Sequence, residues 1–306
     1  MPPKKQSMKP QKEVIVSYSP CTIDTEQYKD VSQYKIICLN TNGIRAALKK
    51  GLVGYIMNNN PDIFCISETK VGVNKIQSFI NDAVPDYPQL FNNYNFIFSS
   101  ATNKEGYSGT GVFIRKNIQI ISYETSCLHL TPQSLINLEG RYINIQTLHF
   151  NLVSVYVPNS GRGGGISFLP ERMDYEDEIR FLLKQKQKEK PLIYCGDLNS
   201  IRSEIDIHNF KSNFGSPGAT QEEMDAIEKL ITELKLTDSF RKVNGEKIKY
   251  SWFSNFGNSR AKKQGWRIDY FLVDEQIQEF ITGADIDDDC QFLSDHVPIK
   301  LELKFE

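Results

Sequence analysis

One α/β domain built on mixed β-sheets is expected from this chain of 306 residues, on three grounds. Short apolar runs of strand length recur along most of it, several joined by brief polar turns. Amphipathic helical segments lie between them, with no linker-like stretch to divide the chain. Several runs follow one another as hairpins, so the sheets should mix parallel and antiparallel pairs.

In order, residues 1–33 lack sustained periodicity, and 1–12 carry four lysines and no acid. This segment is expected to be a mobile basic arm before a folded domain at 34–306. Residues 35–39 form an apolar run. Ile44, Ala47, Leu48, Gly51, Leu52, Tyr55 and Ile56 then fall at helical spacing. A second apolar run, 62–66, follows Pro61, and strands are expected at 94–98, 111–114, 118–122, 142–148 and 152–157. Tyr175, Ile179, Leu182 and Leu183 mark an amphipathic helix leading to a buried-type strand at 192–195. Thr220 with Glu223 is a capping-box signal for a helix through Met224, Ile227, Ile231 and Leu234. Strands near 267–273 and 297–305 close the domain.

Composition narrows the function. Apolar residues at 40% and charged residues at 24% exclude wholesale disorder. A net charge of −2 excludes a uniformly basic nucleic-acid coat but not a local basic patch. The uncharged stretch 142–161 contains Asn144, Gln146, Asn151 and Asn159, so no membrane span is expected. The N-terminus has no apolar core of a secretory signal. The six cysteines are scattered without a CxxC, which suits buried thiols in a reduced, intracellular protein.

Chemistry-bearing residues gather where apolar runs meet loops. Asn40 and Glu68 end the first two runs, Tyr156 to Asn159 a middle one, and Asp197 with Asn199 the buried one. Asp269 lies at the apolar run 267–273, and Asp295-His296 precedes the last strand. Each alone reads as a turn residue; six such endings together read as a site. Glu68, Asn40, Asn42 and Asp295 offer hard oxygen ligands suited to Mg²⁺. With one nearby imidazole and neither a P-loop nor a GxSxG elbow, these groups point to metal-assisted hydrolysis of a phosphate ester. Between Lys247 and Ile268, six basic residues and no acid are interleaved with Tyr250, Trp252, Phe253, Phe256 and Trp266. Such a patch suits a polyanion bound on one face.

In order, NTNGIRA (40–46), SETK (67–70), GYSGTGV (106–112), EGR (139–141), YVPNSGRG (156–163), GDLN (196–199), EID (204–206), GWRIDY (265–270) and SDHVPI (294–299) resemble the exonuclease III family of apurinic/apyrimidinic (AP) endonucleases. These belong to the endonuclease/exonuclease/phosphatase superfamily. The resemblance implies a four-layer α/β sandwich, with two mixed sheets face to face and helices outside. It implies Mg²⁺-dependent hydrolysis (Mn²⁺ as a substitute) of double-stranded DNA 5′ to an abasic site, in base excision repair. Activities at 3′ ends, as a phosphodiesterase and a 3′→5′ exonuclease, go with it. Glu68 would be the principal metal ligand, with Asn40, Asn42 and Asp295 around the metal and Asp197 and Asn199 close by. Asp197 would be the base and His296, oriented by Asp269, would contact the scissile phosphate. Asn159 would donate to a non-bridging oxygen, and Tyr156 would stabilise the leaving oxygen. Arg45, Lys70, Tyr107, Arg141 and Arg162 match DNA-contacting positions, and Trp252, Trp266 and Ile268 would wall the abasic-sugar pocket. A monomer in the nucleus is the matching expectation.

The chain departs from the family at Ser67, usually Gln, and at Ser200-Ile201-Arg202, usually a small residue before His. Asn42 agrees with the bacterial prototype, whereas the mammalian branch has Asp. The alternatives are a superfamily phosphoesterase for another substrate or an inert DNA-binding module. The latter would be expected to lack one of Glu68, Asp197, Asn199, Asp269 or His296, all of which are present.

Overall fold

Strands that are apolar on both faces must be covered on both faces, and this sets the architecture. The computed structural model describes residues 31–290 and 292–306; of the basic arm, 1–30 lie outside the described residues. Among those described, two six-stranded sheets form. The first contains β1 (Gln33–Asn40), β2 (Ile63–Ser67), β3 (Tyr94–Ser99), β4 (Thr110–Arg115), β13 (Ile281–Ile286) and β14 (Ile299–Lys304), ordered β13-β14-β1-β2-β4-β3. The second contains β5 (Ser122–Glu124), β6 (Tyr142–Gln146), β7 (Asn151–Tyr156), β8 (Leu192–Asp197), β9 (Leu236–Asp238) and β12 (Asp269–Asp274), ordered β5-β6-β7-β8-β12-β9. A short ribbon pairs β10 (Trp252–Phe253) with β11 (Gly265–Trp266). Within the sheets, β1–β2 and β7–β8 run parallel, and β1–β14, β2–β4, β6–β7 and β8–β12 antiparallel.

The period-2 alternation of strand side chains divides the core. Ile36 and Cys38 of β1 share a cluster with Leu152, Ile193 and Cys195 of the second sheet, so this core lies between the sheets. Their neighbours Ile37 and Leu39 instead join residues of helices Ile44–Lys49, Leu52–Asn59 and Ile76–Asp86. The far face of the second sheet packs under helices Leu169–Glu189 and Gln221–Leu234. The result is the four-layer sandwich. Cys38, Cys65, Cys127, Cys195 and Cys290 are buried free thiols.

Three local expectations need correction. Residues 118–121 are not in a strand, which starts only at Ser122, because the chain there turns from β4 in one sheet toward β5 in the other, and Ile118 is buried between the sheets. The helical run from Ile44 is two helices, broken at Lys50-Gly51. Arg267, expected in the basic patch, is 1% exposed and fixed inside the protein. Its guanidinium donates to Asp206 (2.7 and 3.1 Å) and to Asp238 (2.8 Å). Arg202 joins the same network at Asp238 (2.9 Å), which accounts for this departure from the family pattern. The capping box is as expected: Thr220 Oγ1 accepts from the Glu223 amide, and Glu223 Oε2 accepts from the Thr220 amide.

Candidate active site

The strand register places the polar strand ends side by side. Asn40 pairs with Ser67 across β1–β2, Tyr156 with Asp197 across β7–β8, and Asp269 with Asp197 across β8–β12. Gly196 makes the β7–β8 approach feasible: its φ is +140°, and a Cβ there would stand 2.0 Å from the Val155 carbonyl oxygen. Ser67, where the family usually has Gln, donates to that same carbonyl (2.9 Å) and so ties the two sheets together. Asn42, Glu68, Lys70 and Asn199 all have left-handed backbone (φ 48–53°). Such strain in non-glycine residues gathers at functional sites.

Asp197, 1% exposed, is the hub. Its Oδ2 accepts from Asn40 Nδ2 (2.8 Å) and Asn199 Nδ2 (3.4 Å), and its Oδ1 from the Asn199 amide (2.8 Å). His296 Nε2 stands 3.8 Å from Asp197 Oδ2, while its Nδ1 is 2.8 Å from Asp269 Oδ2. Burial, reinforced by the neighbouring Asp269, pushes the Asp197 carboxyl up to about 7. Burial works against a charged imidazole, yet Asp269 and Asp197 push His296 up to about 10. His296 is therefore a proton-carrying donor at neutral pH, and Asp197 is more basic than an ordinary carboxylate. Asn159 Nδ2 donates to Asn199 Oδ1 (2.9 Å), which brings it into the same cluster. Ser251, which no motif singles out, completes it. Its hydroxyl donates to Asp269 Oδ2 (2.7 Å) and accepts from the Ile268 and Asp269 amides (3.0 Å each).

Glu68, Asn42 and Asp295 form the ionic side of the site. Asn42 Nδ2 donates to Asp295 Oδ1 (3.2 Å), and the Lys70 ammonium bridges Glu68 Oε2 (2.9 Å) and Asn42 Oδ1. Burial acts to raise both carboxylates, but Lys70 and Asn40 hold Glu68 below its ordinary value. His296, with bonds from Ser294, Trp252 and Asn42, does the same for Asp295. The Glu68 carboxylate and the Asn42 amide oxygen already gathered around the Lys70 ammonium, with the Asp295 carboxylate beside Asn42, fit a hard divalent cation. They adjoin a polar cleft of about 280 Å³ lined in part by Asn42, Lys50, Arg260 and Asp295. Asn40 sits differently from a simple ligand. Its amide nitrogen bridges Glu68 Oε1 (2.9 Å) and Asp197, and its oxygen accepts from the Asn42 amide (2.9 Å). The buried triad Asp197, Asp269 and His296 is a second group of metal-ligating type. Burial and the nearby Glu68 carboxylate push the Tyr156 hydroxyl well above its usual range, so it stays protonated.

The expected substrate contacts divide into two groups. Arg45 is exposed, and Lys70, Tyr107 and Arg162 are half-buried. Arg141 is different: it is 0% exposed and engaged by Glu139 Oε2 (2.8 Å), the Tyr156 carbonyl (2.7 Å) and the Tyr107 hydroxyl (3.2 Å), so it supports Tyr107 and Tyr156. Trp252, Trp266 and Ile268 do come together in one apolar cluster with Ile201 and Ile207. The two indoles meet edge to face with centroids 6.0 Å apart, and Trp252 Nε1 donates to Asp295 Oδ2 (3.2 Å). Of the aromatic patch, Phe253 is core, whereas Phe256 is 85% exposed on a loop near exposed Lys262 and Lys263.

Residues 37–296 match the Endonuclease/Exonuclease/phosphatase family. A DNA-(apurinic or apyrimidinic site) endonuclease of Dictyostelium discoideum is 32% identical over 274 residues, covering 88% of this chain and 70% of its own. An exodeoxyribonuclease of Bacillus subtilis is 33% identical over 269 residues, covering 87% and 98%. The crystal structure of the AP endonuclease LMAP from Leishmania major superposes with a TM-score of 0.78 at 24% identity, over 95% of this chain and 93% of that one. It shares the fold.

Proposed function

Because the chain belongs to the endonuclease/exonuclease/phosphatase family, we propose that it is a divalent-metal-dependent DNA-repair nuclease. Its reaction is that of an AP endonuclease: hydrolysis of the phosphodiester 5′ to an abasic site in duplex DNA, leaving a 3′-OH. The same displacement at a 3′ end gives 3′-phosphodiesterase and 3′→5′ exonuclease activity. The observation that carries this reading is the convergence of Asn40, Asn199 and His296 on buried Asp197, where the ends of both sheets meet.

The residues divide the work of in-line hydrolysis. Asp197 takes a proton from the attacking water, with Asn40 and Asn199 fixing its oxygens. The His296 imidazolium, aligned by Asp269, donates to a phosphate oxygen, and Asn159 donates to another. The Tyr156 hydroxyl donates to the departing 3′ oxygen. Mg²⁺ (or Mn²⁺) held by Glu68, Asn42 and Asp295 supplies neutralisation of phosphate charge when bound. Trp252, Trp266 and Ile268 line a pocket for a base-free sugar, which leaves the duplex at low cost because little stacking is lost.

The test is a duplex carrying one tetrahydrofuran abasic analogue, incubated with Mg²⁺, with EDTA, and with EDTA followed by excess Mg²⁺ or Mn²⁺. A single cut 5′ to the analogue that disappears with EDTA and returns with metal is the expected outcome. Unaltered cutting in EDTA, or no preference for the analogue over intact duplex, refutes the reading.

A further inference from the structure

Arg162 sits in a glycine-rich segment of successive turns. Gly163, Gly164 and Gly165 follow it with φ of +83°, +102° and +57°, and no atom lies within 4 Å of where a Cβ would stand on Gly164 or Gly165. The arginine is nevertheless held firmly. Its NH1 and NH2 donate to Glu139 Oε2 (3.1 Å) and Oε1 (3.0 Å), a two-pronged pairing. The guanidinium also lies 4.1 Å from the Phe168 ring centroid and 5.2 Å from that of Tyr107.

Glu139 has a second partner. It is 2% exposed, and its Oε2 also accepts from Arg141, which in turn donates to the Tyr156 carbonyl and covers the Tyr156 ring at 4.6 Å. A carboxylate so enclosed is tolerable only when paired, and here two guanidinium groups share it. Arg162 keeps 31% of its side chain exposed and has further N–H donors beyond the two on Glu139, so a phosphate or base edge still reaches it.

We propose that Glu139 is a positioning residue for substrate recognition, holding Arg162 in its DNA-contacting pose and linking it through Arg141 to Tyr156. The inference rests on the reading of Arg162 as a DNA contact. Without Glu139 the glycine-rich segment leaves Arg162 free to sample many poses, and ordering it on DNA carries an entropic cost. That loss falls on binding more than on the chemical step.

A double-mutant cycle decides it, with wild type, Glu139→Gln, Arg162→Ala and the double variant. For each, the Kd for a tetrahydrofuran-containing duplex is measured in EDTA, and kcat and KM in Mg²⁺. Glu139→Gln should raise Kd and KM by about tenfold in the wild-type background and less than about twofold in the Arg162→Ala background. Equal factors in the two backgrounds, or a loss confined to kcat, overturn the proposal. If Glu139→Gln does not fold, Glu139→Asp decides instead: it keeps the buried charge but withdraws the carboxylate from Arg162, and an unchanged Kd and KM overturn the proposal. Wild type that binds but does not cut the analogue would refute the nuclease reading and leave the Kd cycle able to judge Glu139.

Discussion

At single residues, the division between Asp197 and His296 gives the clearest expectation. Asp197 must be ionised to accept a proton, so activity is present above its value and lost as pH falls through it. His296 must be charged to donate, so activity is present below its value and lost as pH rises through it. With Asp197 pushed up to about 7 and His296 to about 10, kcat/KM should follow a bell whose plateau lies between them. A bound divalent cation favours the carboxylate and moves the acid limb to lower pH. Asp197→Asn should reduce turnover by at least ~10²-fold while duplex binding stays the same or tightens, since a carboxylate beside phosphate is removed. Binding and single-turnover cleavage separate the two effects. Turnover close to wild type would show that another group takes the proton.

At the level of elements, motif residues that look functional in the sequence turn out to hold elements together. The EID and GWRIDY segments meet through buried Asp206 and Arg267, with Arg241 also on Asp206 and Arg202 on Asp238. This network ties the 204–206 turn to β12 and β9, beneath the pocket walls. Burial acts to raise Asp206, but Arg267 and Arg241 overcome it and hold the carboxyl below its ordinary value. Its stabilising contribution is thus complete above about pH 4 and fades as pH falls further. Asp206→Asn, which leaves buried Arg267 poorly paired, should cost about 3–5 kcal/mol at pH 7. Denaturant midpoints of wild type and variant should converge toward pH 3. A gap that stays constant from pH 7 to pH 3 would show that the ion pairs contribute nothing.

For the whole molecule, one α/β domain with mixed sheets was legible because apolar runs of strand length and capping signals carry that information locally, whereas the face-to-face stacking of the two sheets followed only from the family resemblance. The convergence of strand-end polar groups was legible for the same reason. Contacts made across the fold were not. Nothing near Arg267 in the sequence distinguishes an enclosed guanidinium from a surface one, because the carboxylates of Asp206 and Asp238 that enclose it come from distant elements. Ser251 was equally hidden, since its link to Asp269 depends on the 251–253 segment lying against 295–297. That same placement couples recognition to the metal side of the site. Trp252, a wall of the proposed pocket, meets Trp266 edge to face, and its indole N–H also donates to Asp295 Oδ2. Loss of the wall and loss of the bond should therefore be separable. Trp252→Ala removes both, and should lower the kcat/KM ratio of abasic over intact duplex by roughly tenfold or more while raising the Mg²⁺ concentration for half-maximal rate. Trp252→Phe keeps an aromatic wall but no N–H, so the ratio should hold while the Mg²⁺ requirement rises by about tenfold or more, as expected of about 1.5–3 kcal/mol for one hydrogen bond to a charged group. Thermal melts establish that both variants are folded. If Trp252→Phe loses discrimination without any change in Mg²⁺ dependence, the indole N–H is irrelevant to Asp295 and the ring shape alone selects the substrate.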